Sequence, residues 1–213
     1  MTTALLRTRL TLPEALMAFL HNKDGQAYQS ARPDALTAAA ELGELALAGH
    51  VHLEGDRFSA VSPAPSAPGR AWMAELTAAL PPQPVPIRDW IRKRRTALAT
   101  QQVEALAQGV LTKDRAKLFG VFGYDRHRVD PALRAALLAE LDGPAARSVP
   151  RAQALARLLT SSALHRHLDL DDTRRHRLEQ LAEDRSDTPL PGPLFTAMDV
   201  AIASAVAPSV LGE

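Results

Sequence analysis

The sequence predicts a mainly α-helical, compact domain with a winged-helix-like unit and one or two β-hairpins. Three observations predict it. Hydrophobic residues fill 46% of the 213 positions but aromatics only 4%, so the core must be built from Ala, Leu and Val, which suits closely packed helices. Proline-free Ala/Leu-rich stretches are opened by helix-starting residues and closed by glycine. Two short segments place apolar residues on either side of glycine-containing turns, as hairpins do.

Thr11-Leu-Pro-Glu14 is a capping box with proline at a permitted first-turn position, and it opens a helix to about His21. Asn22–Gly25 is a turn, and the polar stretch 26–33 follows it. The next helix spans Ala35–Ala48, with Asp34 expected as its N-cap and Gly49 as its stop. Leu36, Ala39, Ala40, Gly43 and Leu47 share one face of it, so another helix can approach closely there. Val51, Leu53, Phe58 and Val61 then flank Glu54-Gly-Asp56 as a hairpin, completing a winged-helix outline. Residues 62–69 hold three prolines and read as a linker. Helices are expected over 70–80 and, after the proline cluster 81–86, over 87–108, with Gly109 as terminator. A second hairpin is placed at Leu118, Val121, Phe122 and Tyr124, with Arg126–Val129 returning. Further helices are expected over 131–141, 150–164, 172–183 and 194–206. The whole is one domain, residues 10–207, between short tails at 1–9 and 208–213.

Composition excludes several functions. Without cysteine there is no disulfide and no thiolate nucleophile or metal ligand. A net charge of +1 draws the chain neither to DNA nor to membrane, so attraction must come from local patches. The helix before the wing carries Glu41 and Glu44 and no Lys or Arg, which argues against nucleic acid as a partner. The first ten residues lack the apolar core of a signal peptide, and no run reaches 18 apolar residues, so the expectation is a cytoplasmic protein.

Chemistry-bearing clusters are few. Arg88, Arg92 and Arg95, with Lys93, form a basic helix face beside Trp90 and Ile91; this suits an anionic membrane surface, though a solvated face over a core Trp is the more usual reading of such a run. Arg147, Arg151 and Arg157 surround the start of the helix at Pro150, where backbone N–H groups and guanidinium forks make a phosphate site. The alternative is that these arginines pair with Asp142, Asp169 or Asp171. His165 and His167 are two apart, the wrong spacing for a helical metal pair, and His50 and His52 on one strand side lack a third ligand. No metal, cofactor or catalytic residue is expected, and no nucleotide-binding or hydrolase motif is present.

Five pieces in order carry a resemblance. They are Leu10-Thr-Leu-Pro-Glu-Ala-Leu-Met17, Asn22-Lys-Asp-Gly25, Glu44-Leu-Ala-Leu-Ala-Gly-His-Val-His-Leu-Glu54, Pro81-Pro82 with Asp89-Trp-Ile91, and Gly109-Val-Leu-Thr112 with its hairpin. Over about residues 10–205 the chain resembles the Golgi phosphoprotein 3 family, specifically its bacterial, actinobacterial-type branch. The resemblance implies a non-enzymatic peripheral protein that docks on membranes by holding a phosphoinositide-like headgroup, at the inner face of the cell membrane, with room for a protein cargo. The family's pocket uses a Trp, an Arg in the next helix and two Arg near the start of a later one. Here those positions fall at Gln29, Ala38, Arg151 and Ala154, with Arg32 and Arg147 as stand-ins. The resemblance also implies a homo-oligomer through Leu118, Phe119, Val121, Phe122 and Tyr124. The rival expectation is a winged-helix-like regulatory or protein-interaction module without lipid binding.

Overall fold

A computed structural model of the chain describes residues 5–6, 10–62, 69–118 and 122–184, and for 116–118, 122 and 123 the backbone alone. Residues 63–68 of the expected 62–69 linker and the expected helix at 194–206 lie outside the described residues.

The core is organised around two helices, α1 (Leu12–Leu20) and α2 (Pro33–Leu47). Every residue of α1 is buried, and α2 buries all but its flanks, so both are wrapped by later elements. The capping-box glutamate behaves as the sequence predicts: Glu14 Oε2 accepts from the Thr11 N–H at 2.9 Å. The start of α2 differs from the expectation. Asp34 lies inside the first turn; the residue before the helix is Arg32, left-handed at φ 47°, and Pro33 takes the first position. The small face of α2 does admit a neighbour. Gly43 lets Leu12 so close that a Cβ there would sit 2.9 Å from Leu12 Cδ2.

Gly49, at φ 75°, ends α2 and leads into the wing, β1 (Val51–Glu54) and β2 (Arg57–Ala60), paired antiparallel with Val51 opposite Ala60. A third strand, β3 (Val85–Pro86), joins β2 through Phe58 and Val85; the proline cluster hid it. Between them, α3 (Ala71–Ala79) buries Trp72 and Met73.

The single helix expected over 87–108 is two, α4 (Ile87–Lys93) and α5 (Ala97–Ala107). Arg94 is the cause. Its guanidinium turns inward to Glu41 on α2, with Nε at 2.9 Å, and its backbone leaves helical geometry at ψ 55°. The second hairpin also starts earlier than expected: β4 (Leu111–Leu118) pairs with β5 (Phe122–Val129). The polar run Lys113–Arg115 masked β4, because this hairpin is solvated and laced by diagonal ion pairs. Lys113 reaches Asp125 at 2.8 Å and Arg128 reaches Asp114 at 2.7 Å.

Helices α6 (Pro131–Asp142), α7 (Pro150–Ser161) and α8 (Asp172–Glu183) follow the expected starts. Asp130 caps α6 through the Ala132 N–H and Asp171 caps α8 through the Arg174 N–H. α7 packs on α1 and α2, and α8 covers α7.

Gly25 anchors the foot of the second hairpin. It sits at φ 76°, accepts the His127 N–H at 3.0 Å, and a Cβ there would meet Arg126 Cβ at 3.0 Å and His127 N at 3.1 Å. Both the left-handed backbone and the crowding by main chain oppose a side chain. Gly25→Ala is expected to lose about 1–3 kcal/mol in urea unfolding. Faster exchange of the His127 amide should accompany it, marking the hairpin foot as the place that gives.

Candidate anion site at the start of the seventh helix

Among the described residues, three buried carboxylates define the interior electrostatics, each gripped by an arginine from a later element. Glu14 on α1, with side-chain exposure of 0%, accepts from Arg70 Nε at 2.7 Å and Nη2 at 3.2 Å. Glu41 on α2 accepts from Arg94 Nε and, at 2.8 Å, from Gln101 Nε2. Burial pushes Glu41 above the usual carboxylate range, with the hydrogen bonds of Arg94 and Gln101 opposing. Glu44, one turn on, accepts from Arg151 Nε at 2.9 Å and from the Leu12 N–H at 2.8 Å. The Glu44 hydrogen bonds raise Arg151 above its ordinary value, so it stays charged. These clamps pin α3, α4 and α7 to the α1–α2 pair. The sequence showed the arginines but not their partners. The available signal was two acids in a helix with almost no exposed face.

Arg151 occupies the first turn of α7, behind Pro150, and lines a cleft of about 270 Å³ with Leu6, Leu47, Ser148, Val149 and Pro150. Its Nη1 also reaches the Leu6 carbonyl at 3.5 Å. The first-turn amides of Ala152 and Gln153 both donate to Val149 O, so helix-end donors are already in use. The alternative pairing of the arginines is therefore realised, but with other acids than expected: Arg151 with Glu44, and Arg147 with Asp184 at 3.5 Å. Arg157 donates to Ala182 O at 3.0 Å. Asp142 pairs with Arg174 at 3.1 Å.

The other candidates are distributed. Arg147 remains 64% exposed just before the cleft. Gln29 and Arg32 are exposed, but Arg32 precedes the start of α2, about 18 Å from Glu44 at 1.5 Å rise per residue, and Gln29 lies on the 29–31 turn before it. The structure thus does not gather Gln29, Arg32, Arg147 and Arg151 into one pocket. Arg88 and Arg92 are each 70% exposed and share Asp89, at 4.0 and 3.0 Å, and Lys93 is exposed beside them. Arg95, also exposed, falls beyond the end of α4, so it leaves the expected helix face. Trp90 is half-buried with its ring edge-on to Phe58 at 5.7 Å, which makes it a core residue of the wing. In the hairpin, Leu118 pairs with Phe122 across the ladder, and Arg126 lies 5.8 Å from the Tyr124 ring; Phe119 and Val121 lie outside the described residues.

The histidines go separate ways. His50 is buried and His52 exposed, so they do not face one side together. His165 is buried against Leu159 O and His167 stacks on Tyr28 with ring centroids 4.6 Å apart.

The sequence model of the Golgi phosphoprotein 3 (GPP34) family matches residues 12–203, most of the chain. The chain belongs to the Golgi phosphoprotein 3 family. None of the curated proteins compared with it matches. On the family's expected pocket positions, this Golgi phosphoprotein 3 family member has Ala38 and Ala154 at 0% exposure, packed inside the core. Neither can meet a headgroup, which leaves Arg151 as the charged member of that set. Among the described residues, no helix is long and apolar enough to cross a membrane.

Proposed function

We propose that this family member is a non-enzymatic peripheral membrane protein that binds the phosphate of an anionic lipid headgroup at the α7 cleft. The observation that carries the reading is Arg151 in the wall of an apolar-sided cleft, in a chain of this family. Glu44 fixes the guanidinium in place, so little side-chain ordering is needed on binding. The Arg151–Glu44 pair is neutral overall, and attraction to the surface is assigned to the exposed Arg88, Arg92, Lys93 and Arg95, with Arg147 beside the cleft. The partners are an anionic membrane lipid and a protein cargo, and the setting is the cytoplasmic face of a membrane. Self-association belongs to the β4–β5 hairpin. A two-stranded ribbon is marginal alone, and this one meets the body where β4 packs on α5 and the His127 N–H reaches Gly25 O.

Liposome flotation tests the reading. Recovery is expected with vesicles containing phosphatidylglycerol or a phosphoinositide at low salt, and not with phosphatidylcholine alone. At about 1 kcal/mol per cation, the double substitution Arg88→Ala with Arg92→Ala should weaken vesicle binding by about thirtyfold. Equal recovery on neutral and anionic vesicles would refute the proposal and leave a protein-interaction module.

A further inference from the structure

A second, larger groove lies away from the α7 cleft, between the 22–25 turn, the foot of the β4–β5 hairpin and the first two turns of α6. Its volume is about 540 Å³, within the range of about 300–1,000 Å³ typical of small-molecule sites. One wall is a stripe of α6, Pro131, Ala135 and Leu138, at helical spacing and only partly covered. Val129 continues this apolar wall onto β5.

The polar lining is cationic. Lys23, Arg128 and Arg134 border the groove against one acid, Asp130, whose Oδ1 is engaged in capping the Ala132 N–H. Arg128 is paired with Asp114. Arg134 and Lys23 have no carboxylate within ion-pair distance among the described residues. Arg134 is a half-buried guanidinium that spends Nε on Ala18 O at 2.8 Å and Nη2 on His21 O at 2.7 Å, both neutral carbonyls at the end of α1. Removal from water pulls this group below its ordinary value, with only the distant charges of Tyr28 and Asp169 opposing. A half-desolvated cation facing an apolar trough is a site short of one negative charge.

We propose that this groove binds a small anionic amphiphile, a carboxylate head on an unbranched apolar chain, with Arg134 and Lys23 at the head and Val129, Pro131, Ala135 and Leu138 along the chain. Charge complementarity selects the head. The continuous α6–β5 wall selects an extended apolar tail. The site is independent of the membrane reading, because its ligand is taken from solution and its residues are not those of the α7 cleft.

Isothermal titration of the full chain with decanoate below its micelle concentration tests this, with 1-decanol and acetate as the tail-only and head-only probes. Decanoate is expected to bind one per chain, and each part alone at least tenfold more weakly. Lys23→Ala should weaken decanoate about three- to tenfold. Ala135→Trp, on an exposed helix position, should abolish binding by filling the trough while circular dichroism stays unchanged. Arg134 is left intact in these variants because it also holds the end of α1. Decanol binding as well as decanoate, or decanoate affinity unmoved by Ala135→Trp, would overturn the proposal. No vesicle enters either measurement, so a failure here and a failure of flotation are separate results.

Discussion

Glu44→Ala is expected to destabilise the fold by about 3–5 kcal/mol, a large part of the total stability of an ordinary domain. Glu44 exposes 1% of its side chain and accepts from both the Arg151 guanidinium and the Leu12 N–H. Removing it strands a cation that is mostly withdrawn from water, with Arg70 as a nearby like charge, and leaves the first amide of α1 without its acceptor. Glu44→Gln keeps an acceptor for Leu12 and loses the charge, so it should fall between. The informative variant is double: Glu44→Leu with Arg151→Met leaves no buried charge in this clamp and should lie closer to wild type than Glu44→Ala. Urea unfolding with a full double-mutant cycle measures this. A cost below about 1 kcal/mol for Glu44→Ala would mean that water reaches the clamp and that Arg151 is better described as a surface residue.

This clamp also shows where sequence reasoning stops. Helix starts were legible wherever a local signal set them, as with Thr11 and Glu14 or Asp130 before Pro131. The Gly49 and Gly109 stops were legible for the same reason, since the left-handed backbone is a local requirement. Apart from the start of α2, where Pro33 rather than Asp34 opens the helix, what failed was non-local. The break between α4 and α5 follows from Arg94 seeking a glutamate 53 residues earlier, and no pattern within residues 87–108 encodes that. Strand β4 has no hydrophobic alternation because its stabilising pairs are ionic and cross-strand. The candidate anion site was half legible. Arginines near a helix start are visible in one dimension, but their counter-charges on α2 are not. The expected gathering of Gln29 and Arg32 with Arg151 failed on the length of α2, which separates Arg32 before its start from Glu44 near its end, where Arg151 is held.

Lowering the pH from 6.5 to 4 is expected to remove about 3 kcal/mol of stability through His21 alone, since each pH unit between those values contributes about 1.4 kcal/mol. His21 is fully buried at the end of α1, and its Nδ1 lies 3.1 Å from Met17 O. A carbonyl only accepts, so Nδ1 carries the proton. In the neutral ring Nε2 is then an acceptor, and it takes the Gln102 Nε2 donor at 3.0 Å. A second proton would set two donors against each other in a site that already faces His127, 5.7 Å away, and the Arg134 guanidinium. Burial is the main cause, and the result is a pKa lowered from 6.5 to about 4. The sign follows from proton counting. Between pH 6.5 and 4 the unfolded chain binds the proton and the folded one does not, so stability is complete above 6.5 and declines as pH falls to 4. His127 is lowered too, mainly by burial, and acts in the same direction below pH 6.5. Carboxylates of the clamps also titrate in acid, so the discriminating measurement is a difference in slope. His21→Gln should be less stable than wild type at pH 7 yet lose about 3 kcal/mol less on going to pH 4. Because His21 and His127 meet where the hairpin joins the body, amide exchange in acid should rise first at His127. Parallel stability curves for His21→Gln and wild type across this window would show that the imidazole is hydrated and titrates as an ordinary surface group.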